Sequence, residues 1–395
     1  MRARYVIAAG AAIASTALLT AACSSSSSSS LATTGASSAS SSAAAGSGGG
    51  AASVSWATVT SAQAAGGMNA LIAEAKKEGQ LNVITLPRNW ANYGAIMDEF
   101  TKLYGIKITD ANPDGTSQDE LNAIAQLKGQ DRAPDVVDVG TAFAVTGQQD
   151  HDWAPYQVAT WNDIPAAAKA ADGAYYADYG GYVAIGYDPA KVKVAPTSFK
   201  DLLKPMYKNE VALNGSPTEA GAAFAGVYAA ALANGGSLDN IAPGVDYFKK
   251  LHQAGNFVPV TGSAATMQSG QTPILIWWDY LLASEVQPTV KDLKVVIPSD
   301  SNYAGYYDQA ISSSAPHPAA ARLWEEFLYS AQGQNLFLQG EARPIELAAM
   351  DSAGSSDKTA EAALPQAPSS ASIATVPQIT AAKAILTQQW PSVTG

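Results

Sequence analysis

The sequence predicts an α/β fold, because short apolar strand patterns alternate with helical patterns along most of the chain. Leu81–Leu86 and Asp135–Val139 are brief and rich in Val, Ile and Leu, as expected for buried strands. Between them, Asn92–Leu103 and Asp119–Lys128 place apolar residues at helical spacing. We therefore expect helices packed on a mainly parallel sheet.

The same alternation continues towards the C-terminus. Ser216 is predicted to cap the helix that follows it, with Pro217 as the first helical residue. The remaining predicted strands cover 106–108, 182–187, 211–213, 273–279 and 293–298, and the remaining predicted helices cover 68–77, 199–203, 218–233, 243–253, 319–331 and 378–389.

Polar and aromatic residues follow two of the predicted strands. Asn89–Tyr93 comes after the first strand, and Gly140–Phe143 comes after the strand at 135–139. Ligands of open α/β sheets bind beyond the carboxyl ends of the strands. These two segments are therefore the first candidates for a solute site.

The N-terminus has the layout of a secretory signal. Arg2 and Arg4 precede an uncharged apolar segment, Tyr5–Leu19, which is short for a membrane span. Leu19-Thr20-Ala21-Ala22-Cys23 closely resembles a bacterial lipobox, and Cys23 is the only cysteine in the chain. The resemblance implies a signal peptide over residues 1–22, lipidation of Cys23 and a position on the outer face of the bacterial cell membrane. The alternative is an ordinary cleaved signal with a free thiol.

Residues 23–67 are predicted to form the lipidated terminus and a disordered tether, because Ser24–Ser55 consists almost wholly of Ser, Ala, Gly and Thr. A flexible coil of this length spans roughly 30 Å. The formal net charge of the chain, −11, argues against a nucleic-acid partner. An acidic surface is compatible with a cationic ligand.

The sequence offers no catalytic motif and no metal-ligand spacing. It lacks the Gly-x-Ser-x-Gly, His-Glu-x-x-His and phosphate-loop patterns, and its three histidines are far apart in sequence. We therefore expect neither a cofactor nor a metal. Asp135 and Asp138 are interpreted as structural polar groups. The alternatives from other classes are an exported hydrolytic enzyme and a structural wall lipoprotein.

Three segments in sequence carry a family resemblance. They are Glu99–Ile108, Pro196–Lys208, and Ala315–Arg322 leading into 324–334. Together they resemble the two-hinge (type II) extracellular solute-binding proteins of ABC importers. The resemblance implies a periplasmic-binding-protein-like α/β fold with two domains, an interdomain cleft and crossing hinge strands. The domains would comprise residues 68–184 plus 309–349 and residues 185–308 plus 350–395. It also implies a monomer that passes a small solute to an ABC permease.

Within that family the sequence looks most similar to the spermidine- and putrescine-binding members. The resemblance implies aromatic cleft walls and Asp308 as the carboxylate that meets an amine. An alkylammonium is attracted to Trp and Tyr faces, and it needs a carboxylate when it leaves water. Ferric iron, thiamine and phosphonates are alternative solutes for the same fold. The predicted ligand-binding residues are Trp90, Tyr93, Thr141, Glu219, Trp277, Tyr306 and Asp308.

Overall fold

The computed structural model describes residues 55–394, which belong to one compact unit. The signal peptide over residues 1–22, Cys23 and most of the tether lie outside the described residues. The division into two domains stays a prediction. Among the residues that the structure describes, no helix combines the length and the apolar character needed to cross a membrane.

The first half of the chain alternates helices and strands as predicted. Of its two short 3₁₀ turns, Gln63–Ala65 precedes the first helix and Ala166–Ala168 precedes the last strand. Its elements in chain order are α1 (Met68–Glu78), β1 (Gln80–Ile84), α2 (Tyr93–Tyr104), β2 (Lys107–Ala111), α3 (Ser117–Leu127), β3 (Val136–Gly140), α4 (Thr141–Gln149) and β4 (Tyr176–Tyr187).

The second half contains more helix than strand. A π-helix, Leu282–Val286, directly follows the short helix Asp279–Leu281, and a 3₁₀ turn covers Pro205–Tyr207. The elements in chain order are α5 (Phe199–Leu202), β5 (Val211–Leu213), α6 (Gly221–Ala233), α7 (Ala242–Gln253), α8 (Ala264–Ser269), β6 (Ile274–Trp278), α9 (Asp279–Leu281), β7 (Lys294–Val296), β8 (Ala304–Ile311), α10 (Pro318–Leu328), α11 (Ala331–Gln339), β9 (Arg343–Pro344), α12 (Leu347–Ala353), α13 (Lys358–Ala363), α14 (Val376–Gln389) and α15 (Pro391–Thr394).

The main sheet is mixed, so the prediction of a mainly parallel sheet is wrong. Its strands follow the order β3-β8-β4-β6-β5, and β7 and β9 also pair with β4. β4 is antiparallel to all four of its partners, while β5–β6 and the separate pair β1–β2 are parallel. Alternating strand and helix patterns cannot reveal this difference, because the partners of β4 come from segments distant in sequence.

β4 runs through the middle of the sheet and joins its two sides. Its first part, Tyr176–Tyr182, pairs with β8 and β9, and its last part, Val183–Tyr187, pairs with β6 and β7. All twelve residues of β4 are buried. The register against β8 shifts between Ala177 and Gly180, which marks a β-bulge. Such bulges often redirect side chains beside functional sites.

Two predicted helix boundaries need correction. α6 begins at Gly221, and Ser216 does not cap it: the Ser216 and Thr218 hydroxyls lie 2.8 Å apart, and the Ser216 carbonyl accepts the amide hydrogen of Ala220. Residues 216–219 therefore form a turn rather than the first helical turn. The helix predicted over 319–331 ends at Leu328, because Ser330 caps a new helix, α11.

Candidate functional site

A cavity of about 420 Å³ opens where the loops after β1 and β2 face the segment before α6. α3, β3 and β6 complete its walls through Glu120, Asp138 and Trp277. We call it the main cavity. It lies beyond the carboxyl ends of β1, β2 and β5, where open α/β sheets bind ligands.

The main cavity is acidic. No Lys or Arg is found among the described residues that line it. A site of this composition attracts cations and repels anions. Its carboxylates are Asp114, Glu120, Asp138, Glu219 and Glu285, and its aromatic residues are Trp90, Trp277 and Tyr307.

Glu120 and Asp138 are the most deeply buried carboxyl groups of the wall. One Glu120 oxygen accepts a hydrogen bond from the Asp138 backbone N–H at 3.1 Å. One Asp138 oxygen accepts hydrogen bonds from the hydroxyls of Tyr93 at 2.9 Å and Tyr179 at 2.7 Å. Within residues 55–394, the second oxygen of each carboxyl group has no partner. Buried polar atoms are normally paired, so each of these two oxygens can accept a further hydrogen bond.

The protonation state of this carboxyl pair depends on its burial and on the charges beside it. Burial raises the pKa of Glu120 well above its usual range, and the nearby Asp138 raises it further. Burial also raises the pKa of Asp138 to about 7, against the opposing effect of the Tyr179 and Tyr93 hydrogen bonds. A cation placed beside the free oxygens would reverse both shifts, because an opposite charge favours the ionised form.

Trp90 forms the aromatic wall of the main cavity. Its indole meets Trp277 edge to face at a centroid distance of 5.9 Å and Tyr307 at 5.4 Å. Its Nε1–H donates a hydrogen bond to the Tyr179 hydroxyl at 2.6 Å. The indole is therefore held at both its edge and its face.

Glu285 adds a further carboxylate from the opposite side. It lies in the π-helix that follows α9, and burial raises its pKa to about 7, with a smaller contribution from Asp114. π-helical turns are rare and often occur at functional sites. Here the wide turn places an acidic side chain on the cavity wall.

A second, smaller cavity of about 60 Å³ lies on the other face of β8. Asp308 lines it and accepts a hydrogen bond from the Thr141 hydroxyl at 2.6 Å. Burial raises the pKa of Asp308 to about 8. Unlike the main cavity, the second cavity has a lysine, Lys169, in its lining.

The sequence-predicted residues separate into three groups. Trp90, Glu219 and Trp277 line the main cavity, although Glu219 is exposed. Thr141, Tyr306 and Asp308 line the second cavity. Tyr93 lies on neither wall: it is fully buried, and its hydroxyl supports Asp138 from behind. Their roles in ligand binding stay predictions.

The alternation of neighbouring strand residues explains this division. On β6, Trp277 faces the main cavity and its neighbour Trp278 faces the second one. On β8, Tyr306 and Asp308 share one face. The sequence places these residues on the correct strands, but the face depends on the sheet register.

The sequence analysis did not name Glu120, and it interpreted Asp138 as a structural polar group. Asp138 sits inside a strand that is otherwise apolar, and Asp is seldom fully buried without a partner. A charged residue within a buried strand was therefore the sequence signal that could have indicated a functional role. Asp135, by contrast, has the structural role that was predicted, since it accepts hydrogen bonds from the backbone amides of Asn82 and His317.

Solved structures share this fold. The periplasmic binding protein AfuA from Actinobacillus pleuropneumoniae, with exogenous fructose-6-phosphate bound, is 16% identical with a TM-score of 0.62, over 80% of this chain and 99% of that one. A ferric binding protein from Campylobacter jejuni is 16% identical with a TM-score of 0.58, over 79% and 99% of the two chains. A putative spermidine/putrescine ABC transporter from Listeria monocytogenes is 12% identical with a TM-score of 0.58, over 79% and 99%.

These likenesses confirm the predicted type II periplasmic-binding-protein-like fold, and at such low identity they show the fold alone. No curated protein sequence matches the chain. A profile of the bacterial extracellular solute-binding proteins matches residues 131–373, more than half of the chain. This match confirms the prediction of an extracellular binding protein rather than an enzyme. The chain belongs to the family of bacterial extracellular solute-binding proteins.

Proposed function

We propose that the protein captures a small organic amine cation, of polyamine type, in the main cavity and delivers it to an ABC permease. The observation that carries this proposal is the pair of unpartnered oxygens on Glu120 and Asp138, in a cavity with aromatic walls. An ammonium group would supply hydrogen-bond donors to both oxygens and offset one negative charge of the pair. The faces of Trp90 and Trp277 suit the alkyl part of such a solute and its charge.

The same walls disfavour the anionic alternatives. Phosphate and phosphonate groups are usually held by Arg, Lys or backbone N–H groups. The described lining of the main cavity has five carboxylates and neither basic residue. A phosphonate or sugar phosphate would therefore meet repulsion on entry.

The tyrosines are poorly placed to coordinate ferric iron in the main cavity. Of the neighbouring pair Tyr306 and Tyr307, only Tyr307 reaches the main cavity. Tyr175 lines the second cavity, and Tyr176 packs against Trp161 and Tyr329. The tyrosines thus do not converge on one point of the main cavity. Residues 55–394 also contain no cluster of His, Cys, Asp and Glu suited to a metal ion.

A solute panel tests the proposal. Calorimetry of the purified protein would compare putrescine and spermidine with thiamine, an aminophosphonate, fructose-6-phosphate and ferric citrate. We expect the amines to bind and the anions and iron not to bind. Binding of an anion or iron without the amines would overturn the amine assignment. If thiamine alone bound tightly, the proposed solute would be an aromatic cation and not a polyamine.

The second part of the proposal is that Cys23 anchors the protein to the outer face of the cell membrane through lipid. The Leu19–Cys23 segment supports it, although it lies outside the described residues. Stable anchoring needs more than one acyl chain. We expect Cys23→Ser to release the protein into the medium or to leave the precursor uncleaved. An unmodified residue 23 in membrane-bound wild-type protein, found by mass spectrometry, would contradict the anchor.

A further inference from the structure

The Tyr179 hydroxyl connects the aromatic wall of the main cavity to its buried carboxyl group. It accepts the indole N–H of Trp90 at 2.6 Å and donates its own hydrogen to Asp138 at 2.7 Å. Tyr179 has no solvent exposure and does not itself line the cavity. One hydroxyl therefore satisfies a polar atom on each of two cavity residues.

The β-bulge in β4 explains how Tyr179 reaches this place. The register against β8 shifts between Ala177 and Gly180, so Asp178 and Tyr179 escape the normal alternation of faces. Both join the same hydrogen-bond network: Asp178 accepts the Gln309 side-chain amide at 3.0 Å, and it also accepts the Tyr179 backbone N–H at 2.8 Å.

Packing fixes the ring of Tyr179 independently of its hydroxyl. The ring stacks on Phe337 at a centroid distance of 4.6 Å and on Tyr307 at 5.9 Å. Tyr93 and Tyr280 meet it edge to face. Phenylalanine would therefore keep the ring in place and remove only the hydroxyl, which makes Tyr179→Phe a specific test.

We propose that Tyr179 is a positioning residue for solute binding. It fixes the orientation of the Trp90 indole and occupies one oxygen of Asp138, so that the other oxygen faces the solute. Without the hydroxyl, the Trp90 N–H loses its partner, and the indole is free to turn towards another acceptor. This inference rests on the proposed function for its effect on affinity, but its effect on Trp90 does not depend on any solute.

The test compares Tyr179→Phe with Tyr247→Phe. Tyr247 is equally buried, and its hydroxyl donates to the Phe199 carbonyl at 2.8 Å, away from both cavities. Tyr179→Phe loses two hydrogen bonds and Tyr247→Phe loses one, so Tyr247→Phe controls for the removal of a buried tyrosine hydroxyl. The first readout is the indole ¹⁵N–¹H resonance of Trp90 in solute-free protein, assigned through Trp90→Phe. The second is the affinity for putrescine by calorimetry.

We expect Tyr179→Phe to shift the Trp90 indole resonance and accelerate its hydrogen exchange, and to weaken putrescine binding about tenfold. Tyr247→Phe should leave both quantities at their wild-type values. An unchanged Trp90 resonance in Tyr179→Phe, or a shift with no loss of affinity, would overturn the inference. If the wild-type protein binds no amine, the proposed function fails, and the indole readout alone decides whether Tyr179 positions Trp90.

Discussion

The two cavities differ in the surroundings of their buried carboxyl groups. They share Gly221 and Tyr307 as lining residues, and each contains a deeply buried Asp. In the second cavity Asp308 is bonded to Thr141, and Lys169 stands in the lining. In the main cavity an oxygen of Asp138 remains unpartnered. Burial alone does not mark a cation site; in the main cavity a buried, unpartnered carboxylate oxygen is combined with a lining that has no lysine or arginine.

The strongest test of the difference between the two cavities removes the charge of each Asp in turn. We expect Asp138→Asn to weaken putrescine binding at least about a hundredfold, because a desolvated ammonium loses its counter-charge at a cost of about 3–5 kcal/mol. Calorimetry of Asp308→Asn is the matched control and should give nearly the wild-type affinity. The reverse order of the two losses would restore Asp308 as the counter-charge and move the solute to the second cavity.

The pH dependence of binding gives the next largest effect. In the solute-free protein, burial favours the protonated forms of Glu120 and Asp138, so an arriving ammonium must displace protons. Between pH 5.5 and pH 7, amine affinity should rise about tenfold per pH unit for each proton released. Calorimetry in two buffers of different ionisation enthalpy would count the protons. Affinity that stays constant over this range would show that the pair is already ionised.

The solute-free protein should show the opposite trend in stability. The pKa of Asp138 is about 7 in the folded protein and about 4 in the unfolded chain. A carboxyl group whose pKa is raised on folding stabilises the folded protein fully at pH values below its unfolded-state pKa. This stabilisation is lost as the pH rises through the folded-state pKa. The free energy of unfolding should thus fall between pH 4 and pH 7, and Asp138→Asn should flatten that slope. An identical slope in the variant would argue against a buried protonated Asp138.

The aromatic wall should contribute less than the charge. We expect Trp90→Ala to weaken amine binding about tenfold, since it removes a cation–π face worth about 0.5–2 kcal/mol and some apolar contact. Trp161 is a suitable control, because it is partly buried and lines neither cavity. Equal losses from Trp90→Ala and Trp161→Ala would remove Trp90 from the site.

The contact between Gly140 and Gly221 should have the smallest effect. A Cβ atom on Gly221 would lie 3.0 Å from the Gly140 Cα, and one on Gly140 would lie 2.9 Å from the Gly221 Cα. Gly221→Ala or Gly140→Ala should push β3 and α6 apart and weaken binding about fivefold. Small-angle scattering with saturating putrescine should then show a larger particle than wild type. Wild-type scattering and affinity in both variants would show that close approach here is not needed.

The bounds of many helices and strands were predictable, because periodicity and turn residues are local features of the sequence. The strand at 211–213 agrees with β5, and the helix at 243–253 agrees with α7 to within one residue. Strand direction was not predictable, since the four antiparallel partners of β4 are chosen by distant contacts. The cap at Ser216 failed for a related reason: its hydroxyl bonds to Thr218 instead of a helical amide.

Three of the residues predicted for the site line the main cavity. Trp90 follows β1, whereas Trp277 lies inside β6 and, like Glu219, was predicted from the family resemblance. Glu120 lies in the first turn of a mixed polar helix, and Asp138 lies in an otherwise apolar strand, so neither was predicted to bind a ligand. The Asp138 backbone N–H donates a hydrogen bond to Glu120, eighteen positions away in sequence, and this contact between α3 and β3 is not visible in either local pattern.

Binding of an amine cation against Glu120 and Asp138 in the main cavity is tested most directly by a crystal structure of the protein grown with putrescine. We expect an amine nitrogen within hydrogen-bond distance of the Glu120 or Asp138 oxygen that has no other partner, with the alkyl chain against Trp90. Putrescine beside Asp308 in the second cavity, or an empty main cavity at saturating putrescine, would contradict it.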